Sequence, residues 1–225
     1  MRISVIIPVL NEEKSIAATL RGLERLKLDE LIVVDGGSSD GTQEVCQRFG
    51  VELYATPGGR ARQMNFGAQR ATGDVLLFLH ADTRLPPTAF ADIRSALEDR
   101  RVVGGRFDLQ LDAARPMLQL IGFMISLRSR ISKVATGDQA IFVRREIFAE
   151  LGGYPDIPLM EDVAFSRSLK RRGVVACLRS RVVTSARRWE KEGLWGTILK
   201  MWLLKSLYLA GMSPARLKRY YGDTR

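Results

Sequence analysis

The chain predicts an α/β fold, a mostly parallel central sheet flanked by helices with an amphipathic helix near the C-terminal end. Three observations predict it. Val75–Leu79 is an unbroken apolar run, the pattern of a strand buried on both faces at the centre of a parallel sheet. Two more β-branched runs, Ile3–Val9 and Leu31–Val34, each lead into a helical pattern, and such alternation implies parallel strands with right-handed crossovers. At 225 residues, with two distant cysteines (Cys46 and Cys177), the chain has core enough for one domain without disulfides or structural metal. That cysteine usage points to a reducing, cytoplasmic compartment.

Taken in order, Ile3–Val9 is the first strand. Asn11-Glu12-Glu13 cuts its apolar run short, without the length or cleavage site of a signal peptide. A helix to about Leu26 follows, then the strand Leu31–Val34 and the loop Asp35-Gly36-Gly37-Ser38-Ser39-Asp40-Gly41-Thr42. The loop matches neither a P-loop nor the dinucleotide fingerprint. It leaves Asp35 at a strand end, beside backbone that a ligand can approach closely, or else as an ordinary turn residue. Val51–Ala55 is a third strand and Arg60–Ala71 a helix.

The central strand stops at His80-Ala81-Asp82. Ligands of open α/β sheets sit beyond the carboxyl ends of the strands, and divalent metals accept oxygen and imidazole alike. His80 and Asp82 are therefore placed to hold something charged. Equally, Asp82 and Thr83 before Pro86-Pro87 read as a helix cap.

A helix to about Glu98 precedes Val102–Leu111, a strand bent or bulged at Gly104-Gly105. Met117–Leu127 is the most apolar helical stretch and, too short to span a bilayer, reads as a core helix; Arg128, Arg130 and Lys133 leave surface docking open. Asp138-Gln139 is a polar corner leading into a strand to Val143, and the helix Arg144–Leu151 ends at Gly152-Gly153. Met160-Glu161-Asp162 opens a helix to Arg172, whose first-turn acids serve either the helix dipole or chemistry. Val174–Leu178 and Val182–Thr184 are late strands before Arg187-Arg188-Trp189. Leu194–Met212 sets Trp195, Leu199, Trp202, Leu203 and Leu207 against Lys200 and Lys205. That pattern fits an interfacial membrane helix, a helix packed on the domain, or one against a second subunit in a homo-oligomer.

The net charge of +10 is unevenly placed: Arg167–Arg225 hold 15 Lys and Arg against three acids. Anionic lipid, nucleic acid and a phosphorylated substrate would each match such a segment. No nucleic-acid motif accompanies it, so nucleic acid is not expected, whereas peripheral contact at the inner face of an anionic membrane is.

Four ordered stretches, SVIIPVLNEE, LIVVDGGSSDGT, GRARQMNFGAQRATGDVLLFLHADT and GDQAIFVRREIFAELGGY…EDVAFSRSLKRRG, together resemble family 2 glycosyltransferases over about residues 3–190. More narrowly, LFLHADT and GDQAIFVRR are similar to a bacterial subgroup of small family 2 enzymes associated with radical-enzyme and selenium-related genes, some carrying a carotenoid-glycosyltransferase label. The resemblance implies a GT-A fold in one domain, with a nucleotide-binding half over about 1–105, an acceptor-binding half over about 106–190 and a basic amphipathic helix over about 191–225. It implies a nucleotide-sugar donor, usually a UDP-sugar, a hydroxyl acceptor, inversion at the anomeric carbon, and Mn²⁺ or Mg²⁺ at the diphosphate.

Carried over residue by residue, Pro8, Asn11 and Glu12 match the first nucleotide-contacting segment, and Asp35 the acid at the base. Arg60 and Arg62 lie where basic residues approach the base or diphosphate, and Ala81 lies in the nucleotide-contacting turn. Asp82 matches the last acid of the metal-binding DxD, and Asp162, paired with Glu161, the catalytic base. Asp138, Gln139, Arg187, Arg188 and Trp189 fall to the acceptor or diphosphate side.

Departures matter too. The first acid of DxD is His80, the only histidine, so it ligates metal, touches ribose or packs, and no histidine remains for a C-terminal metal ligand. Ser185 stands where the glutamine of QxxRW would be, although Arg188-Trp189 remain, so a processive synthase is not expected. Two readings compete with sugar transfer: a nucleotidyltransferase of the same fold, whose glycine-rich basic first loop is missing here, and a basic non-enzymatic adaptor.

Overall fold

The computed structural model describes residues 1–221; residues 222–225, the end of the expected C-terminal segment, lie outside the described residues. The first half alternates as its periodicity requires: β1 (Ile3–Val9), α1 (Glu13–Glu24), β2 (Glu30–Asp35), α2 (Thr42–Arg48), β3 (Glu52–Ala55), α3 (Arg60–Arg70), β4 (Val75–Phe78). A short β5 (Thr83–Arg84) and α4 (Ala89–Ala96) lead to β6 (Val102–Asp112) and α5 (Pro116–Ser132). A 3-10 turn (Gly137–Gln139) enters β7 (Ile141–Arg144), followed by α6 (Arg145–Glu150), α7 (Glu161–Arg172) and β8 (Val174–Ser185). The chain closes with α8 (Arg187–Glu192), α9 (Leu194–Leu209) and α10 (Pro214–Tyr220).

The eight strands form one sheet in the order β3-β2-β1-β4-β7-β6-β8-β5. β1, β2, β3 and β4 pair in parallel, as does β6 with β8, while β7 runs antiparallel to both neighbours and β5 antiparallel to β8. The two late strands expected from the sequence are one continuous strand, β8, bent where its register with β6 shifts. The shifts fall at Val102/Gly104 and Arg106/Asp108. Gly104 and Gly105 are needed there because the neighbouring backbones come close: a Cβ at Gly105 would lie 2.5 Å from both Ala176 O and Phe142 Cζ.

Alternation along the central strands divides the core between the two sheet faces. Ile3, Val5, Ile7 and Leu77 pack with Ile16 and Leu20 of α1 and Ile93 of α4, whereas Ile6, Leu76 and Phe78 pack with Met64 of α3, Phe148 of α6 and Phe165 of α7. Every one of these side chains is nine-tenths or more buried, each contributing about 1.5–3 kcal/mol relative to exposure.

A charged group lies inside the second half. Arg106 is 1% exposed and pairs with Asp108, which Arg130 also holds at 2.8 Å. Arg106 Nη2 donates to Ser126 O and Arg130 Nη1 to Cys177 O, so the network ties β6 to α5 and β8.

α5 is half of what its composition suggests. Leu118, Ile121 and Gly122 are buried against β6, but Leu120, Phe123 and Met124 on the opposite face are more than half exposed. The expected helix Leu194–Met212 is α9, ending at Leu209; the chain then turns at Gly211 and a further helix, α10, starts at Pro214.

Candidate active site

The topology gathers one edge of the sheet. Register pairs Val9 with Asp35 and Ile6 with Phe78, so the loops after β1, β2 and β4 leave from the same side. Because β7 is antiparallel to β4, with Ile141 opposite Phe78, the turn that precedes β7 arrives at that edge as well. β8 ends there too: the Ser185 amide donates to Asp82 O at 3.2 Å, and Arg187 follows.

On the side of β1 and β2, Asn11 adopts a left-handed backbone (φ 54) and staples two loops. Its amide donates to Ser38 Oγ and its Oδ1 accepts from the Ser39 amide, both at 2.9 Å. Asp35 is 1% exposed and accepts from the Ser38 amide, from Ser38 Oγ and, at 2.6 Å, from Gln43 Nε2. It therefore orders its own loop, the turn role that its sequence also allowed. Beneath it, Gln63 Nε2 donates to Val9 O and Val34 O at 2.7 and 2.8 Å, bracing the carboxyl ends of β1 and β2.

On the side of β4 and β7, a small, partly open cavity is lined by Pro8, Arg60, His80, Gly137, Tyr154 and Asp162. Asp162 Oδ2 accepts from the Gly137 amide at 2.7 Å and Oδ1 from the Val163 amide. His80 turns its Nε2 edge to the same place: a Cβ at Gly137 would lie 2.5 Å from His80 Nε2 and 3.6 Å from Asp162 Oδ2. Beside them Glu161, 4% exposed, faces Arg60 Nη1 at 3.5 Å. Arg187 Nη2 sits 3.2 Å from Glu12 Oε2 and 3.9 Å from Asp82 Oδ2, joining the last segment of the chain to the first.

Charge and burial pull against one another here. Burial, then repulsion from Asp162, raises the pKa of Glu161 above the usual carboxylate value, with Arg60 acting against the shift. Burial opposes the charge of Arg60, yet Glu161 and more distant acids hold its pKa above normal. Asp138 is raised mainly by burial, and Tyr154 well above the ordinary tyrosine value for the same reason, so its hydroxyl keeps its proton.

The residues expected from the sequence divide. Pro8, Asn11, Glu12, Arg60, His80, Asp82, Glu161, Asp162 and Arg187 come together along the edge. Arg62 does not: it pairs with Asp156 at the surface, both more than half exposed. Gln139 is fully buried, its Nε2 engaged with Phe107 O and Ser129 Oγ, so it braces the turn rather than facing the cleft. Trp189 packs on the cluster of Leu109, Leu111 and Leu118. Ala81 lies in the core with its carbonyl accepting from Thr19 Oγ1. Arg188 stacks on Tyr221, 4.2 Å from the ring centroid.

Sequence reasoning missed Gln43, Gln63, Gly137, Tyr154 and Tyr221. Only Gly137 carried a signal, as the glycine that opens a polar corner. Backbone strain marks the same region: of the four non-glycine residues with positive φ among the described residues, Asn11, Ala140 and Met160 flank it.

The metal implied by the resemblance can be tested against these side chains. Among the described residues, no three His, Cys, Asp or Glu side chains converge on one point. Hard cations such as Mg²⁺ are commonly held by one or two carboxylates plus substrate phosphates. Asp82, partly exposed at the cleft, fits that kind of site, completed by a diphosphate.

Comparison with known proteins agrees with the architecture. The family model described as glycosyl transferase family 2 matches residues 4–152. The "Probable glycosyltransferase YdaM" of Bacillus subtilis (strain 168) is 28% identical over 218 residues, covering 85% of this chain and 51% of that protein. The chain spans about a quarter to three fifths of the length of the curated relatives it matches. Among solved structures, S. aureus TarS 1-349 in complex with UDP-GlcNAc superposes with a TM-score of 0.69 at 18% identity, covering 98% of this chain and 70% of that one. The mannosyltransferase PcManGT of Pyrobaculum calidifontis, in complex with GDP-Man and Mn²⁺, gives 0.69 at 20%, covering 97% and 67%. At such identities the likeness establishes the GT-A fold alone. Matched by the family model over more than half its length, the chain belongs to glycosyl transferase family 2.

Proposed function

We propose that this chain moves a single sugar from a UDP-sugar to a hydroxyl acceptor with inversion at the anomeric carbon. The observation that carries the reading is Asp162, whose carboxylate stands at the cleft with Oδ2 held by the Gly137 amide. Inverting displacement needs a base on one side of the sugar and compensation, on the other, for charge growing on the leaving diphosphate. Asp162 serves as the base. As the acceptor oxygen bonds to C1 and the bond from C1 to the diphosphate oxygen breaks, the hydroxyl proton passes to the Asp162 carboxylate. No covalent sugar–enzyme intermediate forms.

Arg187 is the cation for the diphosphate, whose oxygens compete with Glu12 and Asp82 for its guanidinium. Asp82 would hold Mg²⁺ or Mn²⁺, which supplies Lewis-acid neutralisation of the leaving group. Pro8, Asn11 and Glu12 serve the nucleoside, Asp35 orders the loop beside them, and Asp138 and Arg188 serve the acceptor side. The stretches LFLHADT and GDQAIFVRR support membership of the small bacterial subgroup named above.

Calorimetric titration of UDP with and without Mn²⁺, on wild type and Asp82→Ala, tests the donor site. UDP-sugar turnover by Asp162→Asn tests the base. Metal-dependent UDP binding that Asp82→Ala weakens, and turnover that Asp162→Asn lowers about 10²–10⁴-fold with UDP binding retained, are expected. Absence of nucleotide binding with metal present overturns the reading.

A further inference from the structure

The side of the molecule carrying α5 and α9 is built unlike the rest. The two helices are neighbours through a shared cluster in which Leu118, Ile121 and Ile125 meet Leu194 and Ile198. Each is apolar on the face turned away from that cluster as well. On α5, Leu120, Phe123, Met124 and Ile131 are 51–76% exposed, and on α9, Trp195, Leu199, Trp202 and Leu203 are 59–73% exposed. A helix that is apolar all round belongs in a core or against a partner, and an exposed apolar patch of this extent marks an interaction site.

Charge identifies the partner. Residues 116–136 and 193–221 contain no Asp or Glu, but eight Lys and Arg: Arg128, Arg130 and Lys133 on one side, Lys200, Lys205, Arg216, Lys218 and Arg219 on the other. Arg130 pairs with Asp108 and Lys200 with Glu192, acids that lie outside both segments. A second copy docked here would set one cationic segment against another. An anionic lipid surface would accept the apolar side chains, the cations around them and the two tryptophans at the depth where indole is favoured. Among the described residues, no helix is long and apolar enough to cross a membrane; α5 has 17 residues and α9 has 16. Such helices lie on a bilayer.

We infer that the outward faces of α5 and α9 together form a docking surface for an anionic lipid bilayer. The face is coupled to the cleft, since Leu204 of α9 and Leu217 of α10 pack with Met160, the residue before Glu161 and Asp162. The inference deepens the transferase reading by setting its base beside a bilayer and an amphiphilic acceptor.

Vesicle flotation reads the docking without donor or acceptor, so its failure leaves sugar transfer standing, and loss of UDP binding leaves the docking standing. The probes are phosphatidylcholine vesicles with and without an anionic phospholipid. Wild type should float with the anionic vesicles, less with neutral ones and less in high salt, each cation near the surface contributing about a fivefold factor. The double variant Phe123→Glu/Trp202→Glu, both positions being exposed, should lose about tenfold or more in binding while keeping its melting temperature. Failure of wild type to float, equal flotation of the double variant, or light scattering that finds a dimer which the double variant splits would overturn it.

Discussion

The amide of Gly137 donates to Oδ2 of Asp162 at 2.7 Å, joining the turn before β7 to the first turn of α7. The pair sets the base on backbone rather than on another mobile side chain. The neighbouring His80 leaves no room beyond a hydrogen at that glycine.

Gly137→Ala therefore forces the His80 ring to shift or the turn that holds Asp162 to give way. We expect turnover to fall about 10–100-fold with UDP binding unchanged, because small displacements of a reacting group carry large penalties. Steady-state kinetics beside calorimetry checks it, and a variant as active as wild type would show that the turn tolerates a Cβ.

Removal of the Arg187 charge should act on the donor. Arg187→Met leaves Glu12 and Asp82 without the guanidinium that joins them, and takes a charge-assisted contact from the diphosphate. UDP affinity should fall by about 1.5–3 kcal/mol, roughly 10–100-fold, while uridine affinity stays level. Equal loss for both ligands would place Arg187 outside the phosphate subsite.

Glu161 and Arg60 make a pH-dependent pair. The folded-state pKa of Glu161 is raised, first by burial, so the folded chain binds its proton more tightly than the unfolded chain does. Its contribution to stability is greatest below the ordinary value of 4.5 and declines as pH rises through and above that value. Arg60→Met should therefore destabilise by about 2 kcal/mol at neutral pH, where Glu161 loses its partner while charged, and by less in acid. Melting temperatures of Arg60→Met and of Arg60→Met/Glu161→Gln across pH 4–8 check this; the double variant should lose the pH dependence.

Lys205 carries the opposite sign. Burial, helped by Arg128, lowers its pKa from 10.5 to about 8. Its charge weighs against folding in full below pH 8, and stability returns as pH rises from about 8 to 10.5. Lys205→Met should stabilise the chain at pH 7 by about 1–2 kcal/mol, discounted for water at the ammonium, and flatten denaturant midpoints over that window.

Much of the scaffold was legible because its causes are local. Apolar runs with β-branched residues, glycine stops and helical spacing locate β1 to β4 and their helices. Parallel strands then bring their carboxyl ends to one edge whatever the loops do, so Asn11, Asp35 and Asp82 were readable as edge residues before any coordinate. The uneven charge of the C-terminal segment was equally plain.

What only the tertiary structure decided concerns partners distant in sequence. Arg187 meets Glu12 across 175 residues, and Gly137 meets Asp162 because β7 runs antiparallel to β4, a pairing that no single-residue pattern encodes. Gln139, Arg62 and Trp189 had the right chemistry for the cleft and lie outside it, since side-chain direction follows from packing. The apolar pattern of α5 could not tell a buried face from an exposed one: periodicity reports which face is apolar, whereas burial depends on whether another element covers it.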